Sequence, residues 1–315
     1  MREVIYPYDR GLYNRSFLNC YQRQSMVMLA ERVPEVHQLF YPCLISTDDM
    51  VEQIIRLQRP RYDFESRFFE PADLARIGVV SQDVPVDSYA EARPLLLETV
   101  AEQGYALLVV DVFYLPHCPE YRVKHVVHAI TLREFDAGAR EWSIIDDNRA
   151  SVLCTYRYPE EVVAASYDNN ERRRVRYFCS TGFDPDEVAG GTGRAFSELL
   201  RGYRDTRRLL SSVDDVIGCP WVAPGRMISL LHDAFSIYQG SRLCLREYAS
   251  RAVGDGCVDA VLGRIVERAV AVQKQLLVGT VTGSVDPSWM RSACLQLASD
   301  EDELLHRLRA ADSER

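Results

Sequence analysis

The sequence predicts an α+β protein in two parts, a mixed helix-and-strand domain over residues 1–185 and a helical domain over 186–315. Three observations carry this. Strand-like runs, "YALLVVDVFYL", "VVHAITLREFD" and "EWSIIDD", are confined to the first part. Apolar residues at helical spacing dominate the second. Between them lies "DPDEVAGGTG", a Gly-rich stretch that reads as a loop.

Taken in order, "NCYQRQSMVMLAER" predicts a helix from near Cys20 to Arg32, with Met26, Met28, Leu29 and the stem of Arg32 along one side. Residues 47–57 and 90–103 predict two more helices, the second opened by Asp87 and Ser88 as candidate caps and closed by Gly104. Residues 105–115 are β-branched and aromatic, a buried strand ended by Pro116. "HVVHAITLREFDAGAREWSIIDDN" then reads as two strands joined by a Gly-containing turn, and "VLCTYRYP" and "RVRYFCST" add strands. Beyond residue 193, three amphipathic faces follow: Phe196, Leu199, Leu200, Tyr203, Leu209 and Leu210; Met227, Ile228, Leu230, Leu231 and Phe235; Val258, Val261, Leu262, Ile265 and Val266.

Composition narrows the function classes. The chain has no apolar run of membrane-spanning length and no apolar stretch behind its N-terminal charge, so a cytoplasmic protein is expected. Its nine cysteines are odd in number and contain no CxxC pair, which favours neither a disulfide framework nor a zinc knuckle; no metal and no cofactor are expected. A net charge of -9 argues against nucleic-acid binding. Two basic clusters, "ERRRVR" and "RGYRDTRR", are either solvated faces or a docking patch for an acidic partner or a phosphate. Trp221 and Trp289, near loops of the helical part, offer a surface for a homodimer.

The chemistry sits in the first part. A cysteine at a helix start, then a histidine on one strand and a carboxylate on its neighbour, is the order of a papain-like active site, and Cys20, His128 and Asp146 stand in that order. The reason is physical. A thiol of ordinary pKa is little ionised at neutral pH, whereas a helix N-terminus and an adjacent imidazole stabilise the thiolate. A carboxylate then holds the imidazole in one tautomer. An oxyanion needs donors, for which the Cys20 backbone N–H and the amide of Asn14 or Asn19 are candidates. Asp147 is an equal candidate for the orienting carboxylate, His125 falls on the opposite strand face from His128, and Cys118 beside His117 is a rival thiol in a Pro-flanked loop.

These residues resemble a known family. "LLVVDVFYLPHCPEYRVKHVVHAITLREFD" followed by "WSIIDDN" is similar to the N-terminal domain of the butirosin biosynthesis protein H family, itself similar to bacteriocin-processing cysteine peptidases. Asp111, Phe113, Tyr114, Leu115, Pro116, Tyr121, His125, His128 and Asp146 fall on the family pattern, and "YQGSRLCLREYASR" is similar to a helix of its helical domain. The resemblance implies a papain-like cysteine-peptidase fold, an N-terminal helix on an antiparallel sheet, with a C-terminal helical domain. It implies an acyltransferase of secondary metabolism: Cys20 would take an acyl group from the phosphopantetheine thioester of an acyl or peptidyl carrier protein, His128 would shuttle the proton, and Asp146 would orient His128. The acceptor would be a small-molecule amine or alcohol, or an internal nucleophile. Tyr21, Tyr114 and Tyr121 are candidate substrate contacts. Tyr21 departs from the family pattern, which has a small residue after the cysteine. Two other readings stand beside transfer: hydrolysis of a thioester or amide by the same thiolate, and a non-catalytic protein that binds a carrier or acyl chain, which Tyr21 favours.

Overall fold

The computed structural model describes residues 3–182, 184–211, 213–218 and 222–313. Trp221 and Cys219 lie outside them. In chain order the elements are β1 (Val4–Ile5), α1 (Cys20–Ala30), α2 (Thr47–Met50), α3 (Pro71–Arg76), β2 (Val79–Pro85), α4 (Tyr89–Gln103), β3 (Ala106–Asp111), β4 (Val127–Asp136), β5 (Glu141–Asp147), β6 (Leu153–Pro159), α5 (Glu160–Asp168) and β7 (Arg174–Ser180). Helices α6 (Pro185–Gly202), α7 (Arg208–Ser211), α8 (Val213–Ile217), α9 (Pro224–Ala252), α10 (Gly256–Thr282) and α11 (Pro287–Ser313) complete the chain. The protein is α+β, as the strand and helix patterns predict.

The chain forms two compact units, and neither is continuous. One comprises residues 1–36 and 77–183, the other 37–76 and 184–315. The single division near residue 185 therefore coincides with one crossing between the units, and residues 37–76 depart from it. Reciprocal hydrogen bonds tie that segment into the second unit. Asp205 accepts from the backbone N–H and hydroxyl of Thr47, at 3.0 and 2.9 Å, while Asp48 accepts from the N–H and hydroxyl of Thr206, at 2.8 and 2.9 Å.

The first unit is built on a seven-stranded antiparallel sheet in the order β1-β6-β5-β4-β3-β7-β2. All six residues of β3 are buried, which suits an interior strand with apolar side chains on both faces. Ile130 and Leu132 of β4 join Trp142, Ile144 and Tyr156 in a core that α4 and α5 cover with Leu96, Val163 and Tyr167. The alternate residues of β4, Thr131 and Arg133, instead contact α1. Side chains of a strand alternate between faces, so α1 packs on the other side of the sheet.

Several expected elements end differently. The strand expected over 105–115 stops at Asp111, whose carboxylate accepts the N–H of Phe113 at 3.0 Å and turns the chain into a short 3-10 helix at Val112–Tyr114. The helix expected over 47–57 begins as α2 and continues with π-helical hydrogen bonding over Val51–Arg56. α4 is capped by Ser88, which accepts from Glu91, and closed by Gly104 in the left-handed conformation at φ 72°. A side chain at Gly104 would also meet the Arg32 guanidinium, 2.8 Å from the Cβ position. β2 is an element that the sequence pattern did not announce.

The Gly-rich stretch 184–193 is helix, not loop. Asp184 caps the N–H of Asp186 at 2.8 Å, Pro185 supplies a pre-set φ at the first turn, and burial of Val188, Thr192, Ala195 and Phe196 outweighs the cost of three glycines. The second unit is otherwise organised by α9, α10 and α11. Arg242 of α9, 0% exposed, bonds Glu301 of α11 at 2.6 Å, and the Tyr238 hydroxyl donates to the same oxygen at 2.7 Å. Among the described residues, no helix is long and apolar enough to cross a membrane. Trp289, at the start of α11, is 37% exposed.

Candidate functional site

Cys20 is the first residue of α1. Asn19 caps it, accepting the N–H of Gln22 at 2.9 Å, and the Gln22 side chain accepts the N–H of Asn19 at 3.2 Å. This reciprocal pair fixes where the helix begins, leaving the Cys20 N–H among the first-turn donors with no partner inside the helix. The helix is buried from Arg23 to Leu29, on more than the one side that periodicity suggests, and it ends at Ala30 rather than Arg32.

Polar side chains on α1 pin it in place. Gln24 donates to the carbonyl of Ala129 at 2.6 Å and accepts from Thr131 at 2.6 Å. Arg23, 1% exposed, bonds the Asp147 carboxylate, the Tyr8 hydroxyl at 2.5 Å and the carbonyls of Tyr13 and Ser151 at 2.8 and 3.0 Å. Asp147 is thereby committed to Arg23, with Arg15 3.4 Å away.

Asp146 is the carboxylate that meets His128. Its Oδ1 lies 2.7 Å from His128 Nε2 and 3.2 Å from Gln24 Nε2. Its Oδ2 lies 2.8 Å from Nε2 of a second histidine, His117. With Nε2 of His128 on Asp146, Nδ1 is the nitrogen left for Cys20, whose influence helps raise the imidazole. Burial pushes the Cys20 thiol up, but the charge of His128, its hydrogen bond and the Ala129 N–H outweigh burial, so the thiol titrates below its ordinary value. Burial opposes the charged form of His128 as well; the negative charges of Asp146 and Cys20 more than offset it and hold the imidazole well above its usual range. The Asp146 carboxyl is likewise held below its usual range, against its burial, by His128 and His117. Both directions favour the charged forms of the Cys20 thiol and the His128 ring.

The other candidates fall as follows. His125 precedes β4 instead of sitting on it; its ring stacks on Phe113 at 4.2 Å and bonds Asp111 at 2.5 Å. The Asn14 side chain shapes its own turn, donating to Gly11 at 2.7 Å and accepting from Ser16 at 2.8 Å. Tyr21 lies with its ring under the Arg176 guanidinium, 4.6 Å from the centroid, and its hydroxyl bonds Ser81, so the phenol is engaged with β7 and β2. Tyr114 packs edge-on to Phe113 at 5.1 Å, and Tyr121 lies under Arg122 at 5.2 Å; both are half-buried. Cys118 is buried, and burial followed by the charge of Asp146 pushes its thiol up, so it is the opposite of an activated nucleophile. In the first basic cluster, Arg174 and Arg176 share Asp83 at 3.1 and 3.0 Å. In the second, Arg207 pairs with Asp302 at 2.5 Å.

The chain is similar to a carrier-protein-linked transferase. Over 135 residues it is 22% identical to the ribostamycin:4-(gamma-L-glutamylamino)-(S)-2-hydroxybutanoyl-[BtrI acyl-carrier protein] 4-(gamma-L-glutamylamino)-(S)-2-hydroxybutanoate transferase of Niallia circulans. The match covers 42% of this chain and 45% of that protein, so it spans about half of the relative's length. It agrees with the resemblance to the butirosin biosynthesis protein H family. No protein-family model matches the chain.

Sequence reasoning missed His117 as a partner of Asp146 and missed the anchoring roles of Arg23 and Gln24. The sequence carried little signal for them, since Arg23 and Gln24 stand in the polar first half of the helix, "CYQRQS", where exposure is the ordinary expectation for Arg and Gln.

Asn19 offers a direct test of cap against oxyanion donor. Asn19→Ala is expected to lower stability by about 1 kcal/mol, and Asn19→Ser to recover most of it, read from urea midpoints. A drop in turnover for Asn19→Ser at unchanged stability would give Asn19 a role beyond the cap.

Proposed function

We propose that the chain is a cysteine acyltransferase with a papain-like first unit, taking an acyl group from a carrier-protein thioester and passing it to an amine, an alcohol or an internal nucleophile. The observation that supports it most is the lowered thiol of Cys20 at the head of α1, beside a His128 that Asp146 holds through Nε2.

On this reading the Cys20 thiolate attacks the thioester carbonyl, and the Cys20 N–H donates to the developing oxyanion. Collapse breaks the bond to the carrier sulfur, which leaves with the proton of the His128 imidazolium. Neutral His128 then takes a proton from the attacking acceptor, the new amide or ester forms, and Cys20 departs as thiolate, restoring the ion pair. Asp146 keeps His128 oriented throughout. Tyr114 and Tyr121, on the segment leading to β4, are proposed to line the acyl channel, and the exposed arginines to meet the carrier.

Incubation with an acyl-loaded carrier protein tests this by intact mass. The expected result is an acyl adduct on the wild type, absent from Cys20→Ala, that is discharged by an added amine. Failure of the wild type either to gain the acyl mass or to release carrier thiol would overturn covalent transfer and leave a carrier-binding protein. Release of free acid alone with every offered acceptor would make it a hydrolase.

A further inference from the structure

The second face of Asp146 has no part in that reaction. There, His117 Nε2, Cys118 Sγ and Asp146 Oδ2 converge, all on buried residues, with their ligand atoms mutually within 4.8 Å. The sides of the triangle are 2.8 Å from His117 to Asp146, 3.5 Å from Cys118 to His117 and 3.9 Å from Cys118 to Asp146. A triangle with these sides has a point about 2 Å from all three corners. That is the length of zinc–nitrogen and zinc–oxygen bonds, ~2.0–2.2 Å, and moving the ion about 0.8 Å out of the plane and toward the His117–Asp146 edge keeps those two lengths while reaching the ~2.3 Å of zinc–sulfur.

We infer that His117, Cys118 and Asp146 form a binding site for a thiophilic divalent cation of the zinc class, separate from the Cys20 nucleophile. The donor set of one imidazole, one thiolate and one carboxylate suits zinc, and three protein ligands leave a fourth position open. Protons balance. Cys118 exchanges its S–H bond for a bond to the ion and releases the proton to solvent. His117 moves its ring proton from Nε2 to Nδ1, which lies 2.9 Å from the Tyr158 hydroxyl, an acceptor placed to receive that N–H. The ring is already held in plane by stacking on Tyr156, with centroids 4.1 Å apart. Asp146 coordinates through Oδ2 alone, so Oδ1 keeps its contacts with His128 and Gln24.

The site is also absent from any sequence signature, because its ligands are a Pro-flanked dipeptide and a strand residue that only the folded sheet brings together. Histidine, cysteine and aspartate are otherwise a costly group to bury side by side.

The test uses the full chain. After equilibration with zinc and removal of the excess, the wild type and Cys20→Ala are expected to retain stoichiometric zinc, and Cys118→Ala to lose it. Tyr158→Phe should weaken binding by roughly 10-fold or more. Cobalt in place of zinc should give a thiolate-to-metal charge-transfer band that disappears with Cys118 and persists without Cys20. A wild type that retains no zinc, or a cobalt band that follows Cys20 instead of Cys118, overturns the site. Should Cys118→Ala fail to fold, X-ray absorption of the zinc-loaded wild type decides: one sulfur ligand supports the assignment, and none or two overturn it. None of these readouts depends on acyl transfer.

Discussion

In His128→Ala, alkylation of Cys20 by iodoacetamide at pH 6 is expected to fall by about 10-fold or more, read by peptide mass mapping so that the exposed Cys257 does not mask it. The sign follows from what surrounds the thiol. Burial and the charge of Asp146 both push the thiol up, and His128 supplies the two largest effects that bring it down. Without His128 the thiol titrates at or above its ordinary ~8.5, and its thiolate fraction at pH 6 is then of order 0.3%. In the wild type, alkylation should rise with pH through the lowered Cys20 value and then level off. Turnover should rise along the same limb but fall again as pH passes the raised His128 value, since the leaving sulfur then lacks its proton. A Cys20 that alkylates equally fast at pH 6 in both proteins would sink the ion-pair description.

Arg23→Met is expected to lower stability by about 3–5 kcal/mol, measured as a shift of the urea midpoint. The size comes from what is left behind. Asp147 would be nine-tenths buried beside Arg15 at 3.4 Å, the carbonyls of Tyr13 and Ser151 would lose the Arg23 donor, and the Tyr8 hydroxyl would keep the Leu153 N–H at 3.2 Å but lose the guanidinium. Pairing the change with Asp147→Asn should recover part of the loss, because the uncompensated charge is then gone. A loss under ~1 kcal/mol for the single substitution would mean that water reaches Asp147, and that Arg23 does not anchor α1 to the turn between β5 and β6.

Local signals made much of this legible. The capping residues Ser88 and Gly104 bound α4 as read, and the β4–β5 hairpin closes where Asp136 takes the N–H groups of Gly138 and Ala139, at 2.9 and 3.0 Å. Three glycines within ten residues suggested a loop at 184–193; packing of Val188 and Phe196 overrode their propensity. The affiliation of residues 37–76 was not legible, since it rests on the exchange between Thr47, Asp48, Asp205 and Thr206, residues far apart in the chain. The pairing of His128 with Asp146 could be read because each stands near one end of a recognisable strand. His117 could not, because nothing local tells that its loop folds back onto β5.

The anchoring of Cys20 to strands made far later has a consequence at the ribosome. Cys20 is translated before β4 and β5, and His128 and Asp146 follow it about 5–25 s later at 5–20 residues per second. Until then α1 lacks the sheet that holds it, and its thiol is an ordinary one. The nascent chain therefore carries the Cys20 thiol without the groups that lower it, and the shift appears only when the antiparallel pairing of β4 with β5 brings His128 and Asp146 together.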